Sequence, residues 1–309
     1  MVKLAVPDLV SNSYFPAEAA VELGLFRDQG LDVSLRLIFP VNKAYEALRD
    51  GEVDIVAGSA HSALAAFPGF RGVRLLCAQS QGMYWFLVMH ADFAGVRGDL
   101  SVVRGKRIGA APWVEMGLRR ALAEAGVDSE AGDVTIAPIP PPPGGGAMNF
   151  GLNAARALEE RLIDGFWANG MAAEIATRSG VGTVVFDARR DASPADAFGY
   201  TFASVATRAS LPAERPEEAA AIVRGICAAQ SALRSDVSLA ARVGQALFPA
   251  REAALITDIV RRDLPFYDAA ISRETVNGMS RFARALKLAD DDLVYEDVVS
   301  AELAPLWSA

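Results

Sequence analysis

Two similar segments of the chain each end in a small polar residue that could hydrogen bond a ligand. Residues 44–59 have the sequence AYEALRDGEVDIVAGS, and residues 154–169 have the sequence AARALEERLIDGFWAN. In each, a helical stretch precedes an Asp, a short apolar run and a polar residue, Ser59 or Asn169. Polar side chains that follow a parallel strand at a helix N-terminus are suited to binding polar ligands. The pattern therefore predicts a helix, a parallel strand and a second helix in each of two lobes.

A polar loop before the first predicted helix is the next candidate ligand site. Its hydroxyl groups and backbone N–H groups could hold an anionic or carbonyl oxygen. The alternative is that Asn12 or Ser13 caps helix 16–26 and satisfies its free amides. Asn42, at the start of helix 42–49, has the same two interpretations. The candidate ligand-binding residues of this loop are Ser11, Asn12 and Tyr14.

His61 lies two residues after Ser59, where another helix is predicted over residues 59–67. A helix N-terminus disfavours the charged imidazolium, so we expect a neutral ring. A neutral imidazole can hydrogen bond a heteroaromatic ligand or act as a base. The alternative is a histidine that faces solvent or packs within the lobe. His61 is therefore a ligand-binding candidate, and no residue is predicted to be catalytic.

Aromatic and acidic residues supply the candidate site of the second lobe. Trp113 follows a proline where a helix begins, and it could stack on a flat ligand. Glu115 could pair with an amine or accept from an N–H group. The alternatives are that Trp113 packs inside the lobe and that Glu115 complements the helix dipole. Tyr84 adds aromatic surface before the first crossing, and Trp167 and Asn169 are expected to face the ligand.

The composition excludes several classes of function. The chain has 309 residues and a formal net charge of −8, without the basic cluster that nucleic-acid binding requires. Its two histidines and two cysteines form no metal-ligand motif, so neither a metal nor another cofactor is expected. Cys77 and Cys227 are interpreted as buried free thiols, with a disulfide left open. The Arg189-Arg190 pair is interpreted as a solvated edge.

The N-terminus leaves the cellular location open. No apolar run reaches the roughly 18 residues of a membrane span. No signal peptide precedes the strand-like sequence VKLAVPD, which begins at residue 2. Two expectations follow, a periplasmic protein whose export signal has been removed, or a cytoplasmic protein.

The order of the elements predicts an α/β fold. Alternating strands and helices favour parallel sheets joined by right-handed crossovers. The chain is expected to cross between lobes near 90–95 and 190–200, and strand 198–208 returns to lobe 1. Helices after residue 215, the last over 294–304, are expected to pack on lobe 1. The predicted boundaries are 1–93 plus 195–309 for lobe 1 and 94–194 for lobe 2.

One low-complexity stretch, PPPPGGGAMN at residues 140–149, interrupts the second lobe. It lacks the G-x-x-x-x-G-K-[ST] pattern of a phosphate-binding loop, since no lysine is available to reach a phosphate. We interpret it as a loop at the edge of the ligand cleft.

An ordered set of motifs resembles one family of binding proteins. The motifs are FPAEAAVELGLFRDQGLDVSL at 15–35, ALRDGEVDIVAGS at 47–59, RGKRIGA at 104–110 and LIDGFWAN at 162–169. Together they resemble the type II periplasmic substrate-binding proteins of ABC importers. Within that class the chain is similar to the NMT1/THI5-like group, which includes binders of thiamine precursors, alkanesulfonates, taurine and nitrate.

The resemblance implies a two-lobed type II periplasmic-binding-protein-like fold with two hinge crossings and a helical C-terminal tail on lobe 1. It implies a small-molecule ligand held between the lobes, lobe closure on binding, and delivery to an ABC transporter permease by a monomer. The aromatic, imidazole and amide candidates favour a flat, pyrimidine-like or aromatic ligand. Residues expected to line one pocket are Asn12, Tyr14, His61, Trp113 and Trp167.

Two other functions stay open on the same fold. One is a cytosolic enzyme of the decarboxylase, desulfinase or pyrimidine-synthase type, with His61 and Glu115 as acid/base candidates. The absence of a nucleophilic cysteine from the candidate loops argues against the desulfinase type. The other is a cytosolic ligand sensor.

Overall fold

The computed structural model describes residues 1–93, 95–141 and 149–308. Most of the low-complexity stretch at 140–149, interpreted above as a cleft-edge loop, therefore lies outside the described residues. The chain divides into two compact units. Unit 1 comprises Met1–Gly82 and Gly199–Ala309, and unit 2 comprises Met83–Phe198.

The strands and helices follow the alternating order that the sequence predicts. The strands are β1 (Val2–Val6), β2 (Val33–Leu37), β3 (Ile55–Ser59), β4 (Val73–Ser80), β5 (Phe86–His90), β6 (Arg107–Ala110), β7 (Thr135–Ala137), β8 (Gly165–Ala168), β9 (Gly182–Asp187) and β10 (Ala203–Arg208). The helices are α1 (Phe15–Glu22), α2 (Leu25–Asp28), α3 (Val41–Arg49), α4 (Glu115–Glu124), α5 (Phe150–Glu159), α6 (Gly170–Arg178), α7 (Leu211–Glu214), α8 (Pro216–Ser235), α9 (Leu239–Leu247), α10 (Ala250–Asp263), α11 (Arg273–Ala285) and α12 (Tyr295–Val298).

The two units have the same sheet topology. Within the described residues, the strand order is β2-β1-β3-β10-β4 in unit 1 and β7-β6-β8-β5-β9 in unit 2. The strands β3 and β8, which end the two similar sequence segments, occupy the same position in their sheets. The internal similarity therefore corresponds to a structural repeat, in which a parallel strand follows a helix.

The sheets are mixed, whereas the sequence analysis favoured parallel sheets. β1 runs parallel to β2 and β3, and β6 runs parallel to β7 and β8. However, β10 is antiparallel to β3 and β4, and β5 is antiparallel to β8 and β9. Each of these strands enters its sheet just after the chain has crossed from the other unit, so no βαβ crossover sets its direction.

The unit boundaries fall at different residues from the predicted lobe boundaries. The sequence analysis assigned residues 1–93 to lobe 1, whereas the structure starts unit 2 at Met83. The difference arises because β5 pairs with β8 and β9 rather than with the first sheet. Its sequence, FLVMH, is buried throughout, and a continuous apolar strand gives no sign of which sheet contains it. The return crossing comes after Phe198, close to the predicted residue 195.

Three predicted helices differ from the observed ones. Helix 16–26 is interrupted after α1, where Gly24 has a φ of 78° that suits glycine. The helix predicted over 59–67 is a 3₁₀ segment at Ala60–Ala65. The helix predicted over 294–304 is replaced by the short α12, a bridge between Leu75 and Val299, and a 3₁₀ segment at Ala301–Leu306.

The helical tail belongs to unit 1. Helix α8 packs against α1, α2 and β4. At the end of the described chain, the indole N–H of Trp307 donates to the carbonyl of Leu76 at 3.0 Å. Cys77 on β4 and Cys227 on α8 are buried and free. Among the described residues, no helix is long and apolar enough to cross a bilayer.

Candidate functional site

The loop of residues 11–14 in unit 1 is held by the helical tail. The side-chain Nδ2 of Asn12 donates to Oδ2 of Asp263, the last residue of α10. The hydroxyl of Tyr267 donates to the backbone oxygen of Asn12 at 3.2 Å. Asp263 and Tyr267 are more than 250 positions from the loop along the chain, with separations of 251 and 255. Sequence analysis missed both residues, because no local pattern connects them with the loop.

The alternative in which Asn12 or Ser13 caps the first helix was wrong. Tyr14 occupies the N-cap position of α1, and no side chain caps that end. Instead, the hydroxyl of Ser11 accepts from the backbone N–H of Ser13 at 3.1 Å. Oδ1 of Asn12 and Oγ of Ser13 are buried without a hydrogen-bond partner in the described structure. These atoms are therefore unpaired but covered in this structure, while Ser11 shapes the loop and Tyr14 lies buried at its end.

Glu18, on α1 just after this loop, is a buried acid that sequence analysis did not single out. Both of its carboxyl oxygens are buried without a hydrogen-bond partner in the described structure. Burial raises the pKa of this carboxyl well above its ordinary value, and the charges of Asp8 and Glu22 raise it further. The surroundings of Glu18 therefore favour its neutral, protonated form. The sequence signal that could have identified Glu18 is an acidic residue among the apolar residues of the first predicted helix.

The residues after β3 are enclosed within unit 1. The Oγ atoms of Ser59 and Ser62 lie 2.6 Å apart, and the backbone oxygen of Ser59 accepts from the hydroxyl of Tyr45 at 3.0 Å. Nδ1 of His61 lies 3.0 Å from Oγ1 of Thr201, just before β10. The His61 ring also contacts Phe282 edge-on, with the ring centroids 5.4 Å apart. His61 is thus a packed histidine with a hydrogen-bond partner, as the alternative interpretation stated.

Asn42 lies on the first turn of α3 and is half-buried. Its Nδ2 donates to Oε1 of Glu46, one turn later on the same helix, at 3.1 Å. The N-cap residue of α3 is Pro40, and no side chain caps this helix. Asn42 is therefore not a cap, and its ligand contact stays a prediction.

Trp167 and Tyr84 belong to an aromatic cluster in unit 2. The Trp167 ring lies 6.0 Å from Phe186 at an angle of 10° and 6.2 Å from Trp85. Tyr84 lies 4.8 Å from Trp85. Trp167 was expected to face a ligand. In the structure its indole instead donates to the backbone oxygen of Val114 at 3.0 Å. Its 0% exposure makes it a core residue of unit 2 in this structure.

Trp113 and Glu115 lie where α4 begins, on either side of the carbonyl that accepts from Trp167. Trp113 is half-buried and has a φ of 69°, in the left-handed region that side chains other than glycine rarely adopt. The Glu115 carboxyl accepts from the backbone N–H groups of Glu115 and Trp113. Burial nevertheless raises the pKa of Glu115. Its Oε2 is buried without a hydrogen-bond partner in the described structure, so it could accept from a ligand.

Asn169 caps a helix. Its Oδ1 accepts from the backbone N–H groups of Met171 and Ala172 at 3.0 and 3.1 Å, which satisfies the first turn of α6. Any ligand contact of Asn169 would be additional to this role and stays a prediction.

Arg189 was missed by the sequence analysis, which interpreted the Arg189-Arg190 pair as solvated. Arg190 is exposed, but Arg189 is only 8% exposed, and its guanidinium lies 5.5 Å from the centroid of the Tyr84 ring. It lies two residues after β9, which ends at Asp187, whereas Asn169 follows β8 directly. The rule that identified Asn169 therefore does not reach Arg189, and its burial became visible only in the structure.

The backbone of Trp113 gives a prediction about stability. A residue other than glycine in the left-handed region costs about 1–2 kcal/mol. Both Trp113→Ala and Trp113→Gly remove the ring, but only glycine relieves the backbone strain. We therefore expect the glycine variant to be more stable than the alanine variant by about 1 kcal/mol in urea unfolding. Equal stability of the two variants would contradict the left-handed backbone at this position.

The structure brings together some candidates within each unit and leaves the shared pocket untested. In unit 2, Trp167 contacts the start of α4 between Trp113 and Glu115. In unit 1, Asn12 and Ser13 share one loop. The expectation that one pocket is lined by residues of both units stays a prediction. No group of histidine, cysteine, aspartate or glutamate side chains that could hold a metal ion occurs among the residues that the structure describes.

Solved structures with the same fold include binding proteins and an enzyme. The alkanesulfonate-binding protein SsuA from Xanthomonas axonopodis pv. citri, bound to MOPS, has a TM-score of 0.71 and 14% identity, with 96% of this chain and 97% of that chain covered. The periplasmic nitrate-binding protein NrtA from Synechocystis PCC 6803 has a TM-score of 0.71 and 12% identity, with coverages of 98% and 86%. The desulfurization enzyme DSZB has a TM-score of 0.62 and 14% identity, with coverages of 99% and 98%.

At these identities the similarity establishes the two-lobed periplasmic-binding-protein fold. A search of curated proteins found no match. The model of the NMT1-like family matches residues 6–247, which is most of the chain and includes parts of both units. The chain therefore belongs to the NMT1-like family.

Proposed function

We propose that the protein is the solute-binding component of an ABC importer. The observation that carries the proposal is the repeated sheet topology. The sheet of each unit contains one antiparallel strand, which the chain forms just after it has passed from the other unit. Structures with this fold are described as sulfonate-binding and nitrate-binding proteins, three of them as periplasmic. These similarities support a periplasmic location, and the proposal adds that the protein acts as a monomer and passes its ligand to a permease.

The proposed ligand is small and flat, with a pyrimidine-like or aromatic ring. Trp113, half-buried at the start of α4, offers a ring for stacking. The unpartnered acceptors Oδ1 of Asn12 and Oε2 of Glu115 offer hydrogen bonds to ligand N–H groups. A ligand that interacts more strongly with the closed form would shift the population from open to closed, which is the signal that a permease recognises in this proposal.

The chemistry of the cysteines and of His61 favours binding over catalysis. A thiol attacks as the thiolate, so a nucleophilic cysteine needs a lowered pKa. Burial instead raises the pKa of Cys77, and it raises the pKa of Cys227 to about 11. His61 is fully buried with Thr201 as a partner, which is a poor position for a general base. An enzyme related to the desulfurization enzyme would need a different nucleophile.

Binding and turnover measured together test this proposal. We expect the wild-type protein to bind a compound from a panel of pyrimidines and aromatic acids in calorimetry. Mass spectrometry of the same mixtures is expected to show no conversion. His61→Gln is expected to leave the affinity unchanged, because the His61 ring is enclosed within unit 1 and already has Thr201 as its partner.

His90→Gln is the matched control, because His90 lies at the end of β5 and its Nδ1 accepts from the backbone N–H of Asp92 at 3.2 Å. This variant is expected to keep the wild-type affinity. Conversion of a bound compound by the wild type that is lost in His61→Gln would overturn the proposal in favour of an enzyme.

A further inference from the structure

The side-chain amide of Asn12 has a fixed orientation. Its Nδ2 donates to Oδ2 of Asp263, and Nε of Arg262 lies 3.6 Å from the other oxygen of that carboxylate. Asp263 is only 1% exposed. Because a carboxylate has only acceptor oxygens, Asp263 pairs with the NH₂ end of the Asn12 amide and not with its oxygen. The hydroxyl of Tyr267 also bonds to the Asn12 backbone, which fixes the loop itself.

The other end of the same amide is an acceptor without a donor. Oδ1 of Asn12 has no hydrogen-bond partner in the described structure. Asn12 is only 1% exposed, so solvent does not satisfy this oxygen here. A buried acceptor that is left unpaired costs about 1–3 kcal/mol. Since native proteins pair nearly all buried polar atoms, this oxygen is a site where an incoming donor would recover that free energy.

We propose that Asp263 determines ligand specificity by holding Asn12 so that its oxygen, and not its NH₂ group, is available to the ligand. The inference rests on the proposed solute-binding function and names the chemistry of the ligand at this position. The ligand group that meets Asn12 is a hydrogen-bond donor, such as the ring N–H of a neutral heterocycle. Nitrate or a sulfonate, which carries only acceptors, cannot bond to this oxygen and is repelled by it.

Asp263 is a positioning residue, because it acts through Asn12 and does not need to touch the ligand. Oδ1 is covered in this structure, so the ligand donor reaches it in a more open form of the protein. Such an opening belongs to the mechanism of a protein that closes around its ligand. Asp263, Arg262 and Asn12 all lie in unit 1, so the contact between Asp263 and Asn12 is internal to that unit.

Three related probes measure this specificity. Uracil has ring N–H donors, 1,3-dimethyluracil has the same ring without them, and methanesulfonate is an acceptor-only anion. We expect calorimetry to show that the wild-type protein binds uracil at least tenfold more tightly than either other probe. In Asp263→Asn the new amide can present either end to Asn12, so Asn12 can turn. The preference for uracil over methanesulfonate is then expected to fall about tenfold.

Asp258→Asn is the matched control on the same helix. Asp258 is exposed and forms an ion pair with Arg261 at 2.8 Å, so its replacement is expected to keep the wild-type preference. Uniform weakening of all three probes in Asp263→Asn would show a merely structural role and overturn the inference. If Asp263→Asn does not fold, the wild-type protein still tests the ligand chemistry. A preference for uracil over the other two probes supports the inference, and its absence overturns it.

The outcomes separate this inference from the proposed function. Wild-type binding of methanesulfonate or 1,3-dimethyluracil as tight as that of uracil would overturn the specificity and leave a solute-binding protein. Wild-type binding of none of the probes would overturn the proposed ligand class together with the inference.

Discussion

Replacing Glu18 by glutamine is expected to raise the free energy of unfolding at neutral pH and to reduce its dependence on pH. In the folded protein, burial keeps the pKa of Glu18 well above the value of 4.5 that an unperturbed Glu has. Below pH 4.5 both the folded and the unfolded states are protonated, and Glu18 carries no penalty. Above it the unfolded state loses the proton while the folded state retains it. Stability then falls by about 1.4 kcal/mol per pH unit until the folded pKa is reached.

Glutamine cannot ionise, so the variant lacks this loss. Urea unfolding at a series of pH values measures the effect as the difference between the two proteins. The difference removes the contribution of carboxylates whose folded pKa is lowered, such as Asp164 beside Arg107. These groups contribute equally to the stability of both proteins. The charges that act on Glu18 are Asp8 and Glu22, and neither is changed.

Glu52→Gln is the control for this experiment, since Glu52 is exposed in the same unit. It is expected to leave the pH profile of stability unchanged. If the difference between wild type and Glu18→Gln stays constant from pH 5 to pH 8, then Glu18 does not keep its proton on folding, and the buried neutral acid is refuted.

Under the proposed function, the protein has a physical reason to contain such groups near the loop of residues 11–14. Oδ1 of Asn12, Oγ of Ser13 and both oxygens of Glu18 lie within seven residues of sequence, and all are buried without a partner in the described structure. Each costs stability in the unliganded protein. Sites of function are where proteins tolerate this cost, because a ligand or a conformational change can recover it.

Local pattern was sufficient to predict the repeated part of the fold. The two similar segments contain α3 with β3 and α5 with β8, and the structure places both strands at the same position in their sheets. Helical periodicity, the alternation of strands and the strand-end polar residues are all properties of short windows. The direction of β5 and the sheet that it joins are not properties of a short window, since a fully buried apolar strand fits either sheet.

The candidate site was less predictable, because its contacts are long-range. Asn12 was identified from its place before a helix, but its partner Asp263 is 251 positions away, in a tail that the sequence marks only as helical. His61 was identified from its residue type, whereas its surroundings depend on Thr201 and Phe282. Residue type and local position can indicate which side chains could bind a ligand. They cannot indicate which of these the tertiary structure already pairs.

Trp167→Ala is expected to lower the free energy of unfolding by about 3–5 kcal/mol, the range for truncating a large buried aromatic side chain. The ring is fully buried, stacks on Phe186 and donates to the backbone of Val114 at the start of α4. Its removal leaves a cavity and takes one of two donors from the Val114 carbonyl, which also accepts from the backbone N–H of Gly117 at 3.3 Å. Urea unfolding followed by circular dichroism measures the loss. Phe198→Ala, at an aromatic residue of unit 2 that is 42% exposed, is expected to cost less than about 1 kcal/mol.

Trp167→Phe separates packing from ligand contact at this position. Phenylalanine retains a ring next to Phe186 but loses the N–H that bonds to Val114. If Trp167 serves only the core, stability falls by about 0.5–1.5 kcal/mol, the contribution of one hydrogen bond, because the Val114 carbonyl keeps the Gly117 N–H as a donor. The affinity for a bound pyrimidine is then unchanged. If the indole also contacts the ligand, affinity falls as well. Loss of affinity with unchanged stability would show that the indole faces the ligand, as the sequence pattern predicted, and that the core contacts contribute little.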